Sequence, residues 1–304
     1  MLTEEAAAFG FQQAWLLPVP QYEDWVCRRA EGDMPPQADY IEADPRQAYP
    51  WARGFLLLVW SYMPYTPESG LSGYYPASNQ SYHAAMALRQ KLLGRGERCE
   101  MARVPFKTVM EHWGLGTMLC NSLIALPRWG TRFILQGLMV EAEGECPDPV
   151  PSSGCLHCGR CQRACPGGAI DEDGYHWRRC IRAYMEEDMP PAVMERMTVL
   201  MGCEVCQEVC PLNAGVPHRP QTGEERAAFA PERLLAGEQK AALQIIGKNM
   251  KKGNKLIAQS AVLAAKAGRK DLLPLMEQRL KEQIPNGEKQ ALLWAISRLQ
   301  RPKE

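Results

Sequence analysis

The 304-residue sequence has no long apolar run and no excess of either charge, with 35 Lys or Arg balancing 35 Asp or Glu. Its most hydrophobic stretch, "GFLLLVWSYM" from Gly54, is far too short to cross a bilayer and reads as a buried strand. The opening "MLTEEAAAFGF" is acidic and amphipathic, with no basic segment leading into an apolar one, so a cytoplasmic protein without membrane attachment is expected. Neither a phosphate-cradling glycine loop nor a dinucleotide fingerprint is present, which leaves a tightly held nicotinamide or nucleoside triphosphate without support. No coiled-coil or swapped element is evident, and a monomer is expected. In a reducing compartment the twelve cysteines make a poor disulfide set but a plausible set of metal ligands.

Eight of those cysteines carry the strongest pattern. Cys155, Cys158, Cys161 and Cys165 are spaced C-x2-C-x2-C-x3-C and followed by Pro166. In two-cluster ferredoxins the fourth cysteine of such a run ligates the other cluster, so a second cluster is expected. Cys203, Cys206 and Cys210, ending in Pro211, are one ligand short, and Cys180 in "HWRRCIRAYM" is the natural replacement. The assignment that follows puts Cys155, Cys158, Cys161 and Cys210 on one 4Fe–4S cluster and Cys165, Cys180, Cys203 and Cys206 on the other. Two four-thiolate zinc sites are the alternative, but zinc knuckles usually pair two C-x2-C units and do not end in Cys-Pro. Cys27, Cys99, Cys120 and Cys146 show no ligand spacing with one another and read as buried or incidental thiols.

The fold class expected is α+β and multidomain. Residues 1–145 read as an α/β domain, with strand-like "GFLLLVWSYM" and "RFILQGLMVEAE" and helix-like "SYHAAMALRQKLLG". The Pro- and Gly-rich "GECPDPVPSSG" marks its end, and residues 146–218 form a ferredoxin-like module. Within the first domain, "HWGLGTMLCNSLIALPRWG" is the stretch where backbone can approach a cofactor closely, although a helix end followed by a turn explains its glycines as well.

Residues 219–304 are almost wholly helix-forming, and Ile257, Ala261 and Ala264 recur along one helical face. Helices this short bury little alone, so a small HEAT-like stack is expected. This tail holds 17 Lys or Arg against 9 Asp or Glu, a net of +8 that leaves −8 on residues 1–218. The lysine-rich joint "GKNMKKGNK" is either a phosphate contact or a solvated loop.

Together, "CLHCGRCQRACPGGAI", "RRCIRAYM" and "MGCEVCQEVCPLN", preceded by "GLG" and Asn121, are similar to the cobalamin-dependent, two-cluster epoxyqueuosine reductases, which are related to the reductive dehalogenases. The resemblance implies a cobalamin-type α/β domain, a ferredoxin-like module and C-terminal HEAT-like helices. It implies a cytoplasmic reductase that converts epoxyqueuosine in tRNA to queuosine, drawing electrons from a low-potential donor such as flavodoxin or ferredoxin. Cofactors implied are two 4Fe–4S clusters and cobalamin, with Lys107, Gly114, Gly116 and Asn121 as corrinoid-binding candidates.

The sequence departs from the family pattern at the chemistry. The family's acid lies in an Asp-[Ser/Thr]-Gly/Ala-Pro motif, of which only Pro105 survives; Glu100 and Glu111 are the nearest carboxylates. Thr117, Met118, Leu119 and Cys120 stand where the family has an aromatic residue, glycine and a basic residue before asparagine. The "DYH" signature becomes Ser81-Tyr82-His83. Tyr82, His83 and His112 are therefore the candidate acids. A different corrinoid-linked reductase, or a two-cluster electron-transfer protein without corrinoid, are the alternatives.

Overall fold

The apolar run from Gly54 is uninterrupted because both of its faces are covered. In the computed structural model, which describes residues 1–30, 34, 36–151 and 154–301, it forms β2 (Gly54–Ser61) of a four-stranded sheet. The other strands are β1 (Gln13–Pro18), β3 (Cys99–Met101) and β6 (Phe133–Val140), in the order β1-β2-β6-β3, all antiparallel. Successive strand residues point to opposite faces. Leu56 and Leu58 therefore meet Ala85, Leu88 and Leu92 of the helix Tyr74–Gly94 on one side. Phe55, Leu57 and Val59 face Val109, Met110, Leu115 and Ile124 on the other. The mixed α/β character expected of the first 145 residues is thus present, with antiparallel pairing throughout this sheet.

On the second face, the chain leaves the helix Phe106–His112 and enters a small hairpin of β4 (Thr117–Met118) and β5 (Ile124–Ala125). Its turn is closed by the Leu119 amide donating to the Leu123 carbonyl at 2.9 Å and the Ser122 amide donating to the Leu119 carbonyl at 2.9 Å. Ser122 adopts φ +59° to make it.

A second core joins three parts of the chain. Tyr65, Leu71 and Tyr75 come from the first domain, Ile181, Met185, Met194 and Met197 from the cysteine-bearing segment, and Phe229, Leu243, Met250 and Val262 from the tail. Its methionines suit such a junction, since their flexible side chains fill irregular space between elements. Ile257, Ala261 and Ala264 are buried in a further core of the tail. There Glu288, fully buried, accepts from Arg279 Nε at 2.6 Å and Asn254 Nδ2 at 2.7 Å, so its charge is paired where water cannot reach. No helix among the described residues is long and apolar enough to cross a membrane.

Part of the tail's positive charge is spent on docking. Arg298 pairs with Glu195 at 2.9 Å and Lys255 with Asp188, both carboxylates of the acidic body. At the start of the tail, Arg219 donates to both oxygens of Glu225 at 2.8 and 3.0 Å, and Tyr65 Oη donates to the same carboxylate at 2.6 Å. Burial by itself raises the Glu225 pKa, but these donors and the Thr222 amide outweigh it and bring it from 4.5 down to about 2. A carboxylate whose folded value is depressed contributes stability above its unfolded pKa and loses it as pH falls through the folded one. Glu225→Gln should therefore be less stable than wild type at neutral pH. The gap should close as pH falls from about 4.5 to about 2, measured by thermal unfolding followed by circular dichroism.

Candidate functional site

Two cysteine-lined cavities lie where residues of the segment 154–213 meet residues from 72 to 123. The first, about 560 Å³ of space including its mouth, is lined by Cys155, Cys158, Cys161 and Cys210, with Leu119, Cys120 and Asn121 reaching in from the β4–β5 hairpin. The second, about 830 Å³, is lined by Cys165, Cys180, Cys203 and Cys206. Its opposite wall is Ser72, Tyr74, Lys107, Asn121, Ser122 and Leu123 of the first domain. Cys165 and Cys210 thus lie across from their own motifs, and the buried Asn121 borders both cavities.

The chemistry of each set suits a polynuclear cation. Burial, followed by the neighbouring sulfurs of Cys180 and Cys165, pushes the Cys203 thiol up to about 11. Cys206, buried beside Cys203, Cys180 and Cys165, is pushed up to about 12. Holding Cys203 and Cys206 as thiolates in this setting calls for a metal to neutralise them. Ala169 donates its amide to Cys165 Sγ at 3.2 Å, a hydrogen bond of the kind that sets the potential of a bound cluster. For Cys155, burial raises the pKa, but amides of Cys120 and His157 aimed at its sulfur bring the net value below the ordinary thiol range. The donor sets fit two iron–sulfur clusters.

What holds the second motif in place is a buried clasp from the first domain. Arg132, 1% exposed just before β6, pairs with Glu204 at 3.0 Å and with Glu208. Those carboxylates flank Cys206 along the chain. Ser72 Oγ and Tyr62 Oη donate to the same Glu204 oxygen at 3.0 and 3.3 Å. Beside it, the Thr131 amide donates to Asn213 Oδ1 at 2.7 Å, and Asn213 Nδ2 donates to the Gln207 carbonyl at 2.8 Å. Gly130, at φ +53°, lets the backbone come this near; a Cβ there would lie 2.0 Å from Asn213 Oδ1.

Comparison with known proteins agrees with this layout. Residues 154–213 match the family model described as a 4Fe-4S double cluster binding domain. An epoxyqueuosine reductase of Shigella dysenteriae serotype 1 is 26% identical over 89% of this chain and 84% of its own length. Another from Synechococcus sp. is 27% identical over 77% and 80%. Along most of its length the chain is similar to the epoxyqueuosine reductases. Its fold is that of the epoxyqueuosine reductase structure from Streptococcus thermophilus, with a TM-score of 0.75 and 18% identity over 100% of this chain and 90% of that one. A structure of epoxyqueuosine reductase with an epoxyqueuosine-modified tRNA-Tyr stem loop superposes with a TM-score of 0.71, at 18% identity, over 99% and 98% of the two chains.

The expected acids lie away from the cavities. On the helix Tyr74–Gly94 the inward positions are Ala77, Ser81, Ala85, Leu88 and Leu92. Tyr82 and His83, one and two steps past buried Ser81, turn outward; Tyr82 is 46% exposed and its ring meets that of His83 edge-on at 5.7 Å. His112, at the exposed end of its helix, stacks edge-on against Trp113 at 5.1 Å. None of the three lines either cavity. Glu100 sits on β3 and Glu111 on the outer side of its helix; the carboxylate that does line a cavity is Glu204, held by Arg132.

The corrinoid-binding candidates divide. Lys107 lines the second cavity, where its ammonium donates to the Ser122 carbonyl at 2.6 Å. It keeps contact with solvent inside the cleft, and the surrounding protein lowers its pKa. Asn121 borders both cavities. Gly114 and Gly116 line neither; at φ +61° Gly114 faces Pro149, and a Cβ on Gly116 would lie 2.9 Å from the Ala125 carbonyl. Gly116 thus packs against the hairpin, and Gly114 against Pro149. Cys120, grouped with the incidental thiols by its lack of chain spacing, lies in the first cavity with Sγ 3.5 Å from Cys155 Sγ and 3.5 Å from His157 Nδ1. Spacing along the chain tests only local partners, and Cys120 arrives from the β4–β5 hairpin, 35 residues before Cys155. Its adjacency to Asn121 was the available signal.

Replacing Arg132 by Met leaves Glu204 and Glu208 without their buried partner. The expected cost is about 3 kcal/mol, with the iron–sulfur absorbance lost at a lower urea concentration than in wild type, and Arg132→Lys falling between the two.

Proposed function

We propose that this chain is an iron–sulfur, corrinoid-dependent oxidoreductase that reduces epoxyqueuosine in tRNA to queuosine. The observation that carries the reading is the pair of cysteine-lined cavities, both bordered by Asn121, the second opening onto a polar wall of Ser72, Lys107 and Ser122. The relatives' shared name and their alignment along most of both chains support the same activity. In this reading Cys155, Cys158, Cys161 and Cys210 hold one 4Fe–4S cluster, and Cys165, Cys180, Cys203 and Cys206 hold the other. The three-part division at 145 and 218 follows, with a cobalamin-type domain, a ferredoxin-like module and a HEAT-like tail.

Removing an epoxide oxygen to leave an alkene consumes two electrons and two protons and releases water. The clusters pass the electrons singly from a low-potential donor such as flavodoxin or ferredoxin. A corrinoid, when bound, supplies the strongly reducing metal centre. Lys107, Asn121, Ser72 and Ser122 are the polar groups that would hold its amide-bearing edge, across the second cavity from the thiols. The family's aspartate and basic loop residue are replaced here, and that observation favours a second reading, a corrinoid-linked reduction of another substrate.

The test is anaerobic reconstitution with iron, sulfide and cobalamin, a low-potential reductant, and tRNA carrying epoxyqueuosine, with nucleosides read by mass spectrometry. Queuosine formed only with cobalamin present supports the proposal. Corrinoid uptake without queuosine supports the second reading. Two reducible clusters with no corrinoid retained would leave an electron-transfer protein.

tRNA is the proposed partner, and the chain acts as a cytoplasmic monomer. The stem-loop structure of a relative supports the tRNA contact. On this chain Lys248, Lys251 and Lys252 are exposed on the joint before the helix Lys255–Lys266 and make no ion pair among the described residues. Replacing all three with alanine should weaken tRNA binding and reduce the slope of log K against log salt by about 2 to 3. An unchanged slope in a filter-binding titration would remove this joint from the interface.

A further inference from the structure

Five thiols reach the first cavity where a cubane has four corners. Cys155, Cys158, Cys161 and Cys210 come from the cluster module, and Cys120 comes from the β4–β5 hairpin of the first domain. We propose that Cys120 and Cys155 are interchangeable ligands to one iron of the first cluster. The proposal rests on the reading above that this cavity takes a 4Fe–4S cluster.

The separation of the two sulfurs carries the argument. A cubane iron carries three sulfides and so takes one thiolate at a time, and thiolates on different irons are held much further apart than two sulfurs in contact. Cys120 Sγ and Cys155 Sγ are 3.5 Å apart, so they address the same corner. His157 Nδ1 lies 3.5 Å from Cys120 Sγ, and the three donor atoms fall within 4.8 Å of one another.

Both cysteines are presented by shaped backbone. Cys120 sits in the hairpin turn with Ser122 at φ +59°, further anchored by Asn121 Oδ1 accepting from the Leu123 amide at 3.2 Å and by Lys107 on the Ser122 carbonyl. Cys155 lies between Gly154 at φ +72° and His157 at φ +46°. A non-glycine residue in the left-handed region is a conformation that the surroundings must enforce.

The exchange balances without a redox change. The iron–sulfur bond to Cys155 breaks as the bond to Cys120 forms, and the Cys120 thiol proton passes across the 3.5 Å contact to the departing Cys155 sulfur. Its consequence is that one corner of the cluster transfers from the module to the first domain. The cluster's attachment then depends on the contact between the two.

The test counts iron and sulfide and records the reduced-state EPR of anaerobically reconstituted full-length variants. Wild type is expected to hold about eight irons, and Cys161→Ala, whose Sγ makes no thiol contact like that of Cys120 with Cys155 among the described residues, about four. Cys120→Ala and Cys155→Ala should each keep about eight, while the double variant falls to about four with the second cluster's signal intact. Loss of half the iron in Cys155→Ala alone overturns the exchange. A wild type that holds only the second cluster overturns the cluster reading of the cavity, and the exchange with it. Should Cys155→Ala fail to fold, alkylation of the wild-type holoprotein followed by peptide mass spectrometry decides. Label shared between Cys120 and Cys155 supports exchange, and label on Cys120 with none on Cys155 overturns it.

Discussion

The arrangement hangs on one buried guanidinium. Arg132 brings a positive charge to the seam between the sheet domain and the cysteine module, and Glu204 and Glu208 answer it from beside the second cysteine motif. In low dielectric such a group is tolerable only with its partners in place, so the three side chains act as a specification of how the two parts meet as much as a source of stability. The bidentate fork of arginine suits this role better than a lysine ammonium would. Because Glu204 lies between Cys203 and Cys206, seating the clasp also sets the direction in which those thiols point.

From that seam the rest of the architecture follows. The neighbouring Thr131–Asn213 contact, possible only because Gly130 lacks a side chain, ties down the end of the module where Cys210 crosses to the first cavity. The crossing of Cys165 and Cys210 makes neither cavity complete within one motif, so the two cluster sites form together. The methionine-rich core below extends the same logic to the tail, which docks through apolar contact and through ion pairs such as Arg298–Glu195. Part of the charge asymmetry between body and tail thus serves internal docking, while Lys248, Lys251 and Lys252 stay exposed at the joint.

Much of this was legible in the sequence because it is local. A strand buried on both faces leaves a continuous apolar run, and a helix face leaves a three- and four-residue recurrence such as Ile257, Ala261 and Ala264. The cysteine spacing expresses short-range stereochemistry, and even the crossed partnership is foreshadowed by the x3 gap and the prolines that redirect the chain after Cys165 and Cys210. Glycines were less legible, because the same residue serves a tight turn, a close backbone approach or a cofactor. Gly114 faces Pro149 and Gly116 packs against Ile124 and Ala125 of the hairpin.

By itself, then, the sequence determined the cofactor class, the strands and helices, and the distribution of charge, each of which depends on residues near one another along the chain. The tertiary structure alone decided which long-range groups share a space. It turned Tyr82 and His83 outward, since Ser81 takes the buried position on their helix. It placed Glu204 rather than Glu100 or Glu111 at a cavity wall, and it carried Cys120 to within 3.5 Å of Cys155 across 35 residues. Those outcomes are set by the docking of one surface on another, a three-dimensional packing problem that no spacing within a single segment encodes.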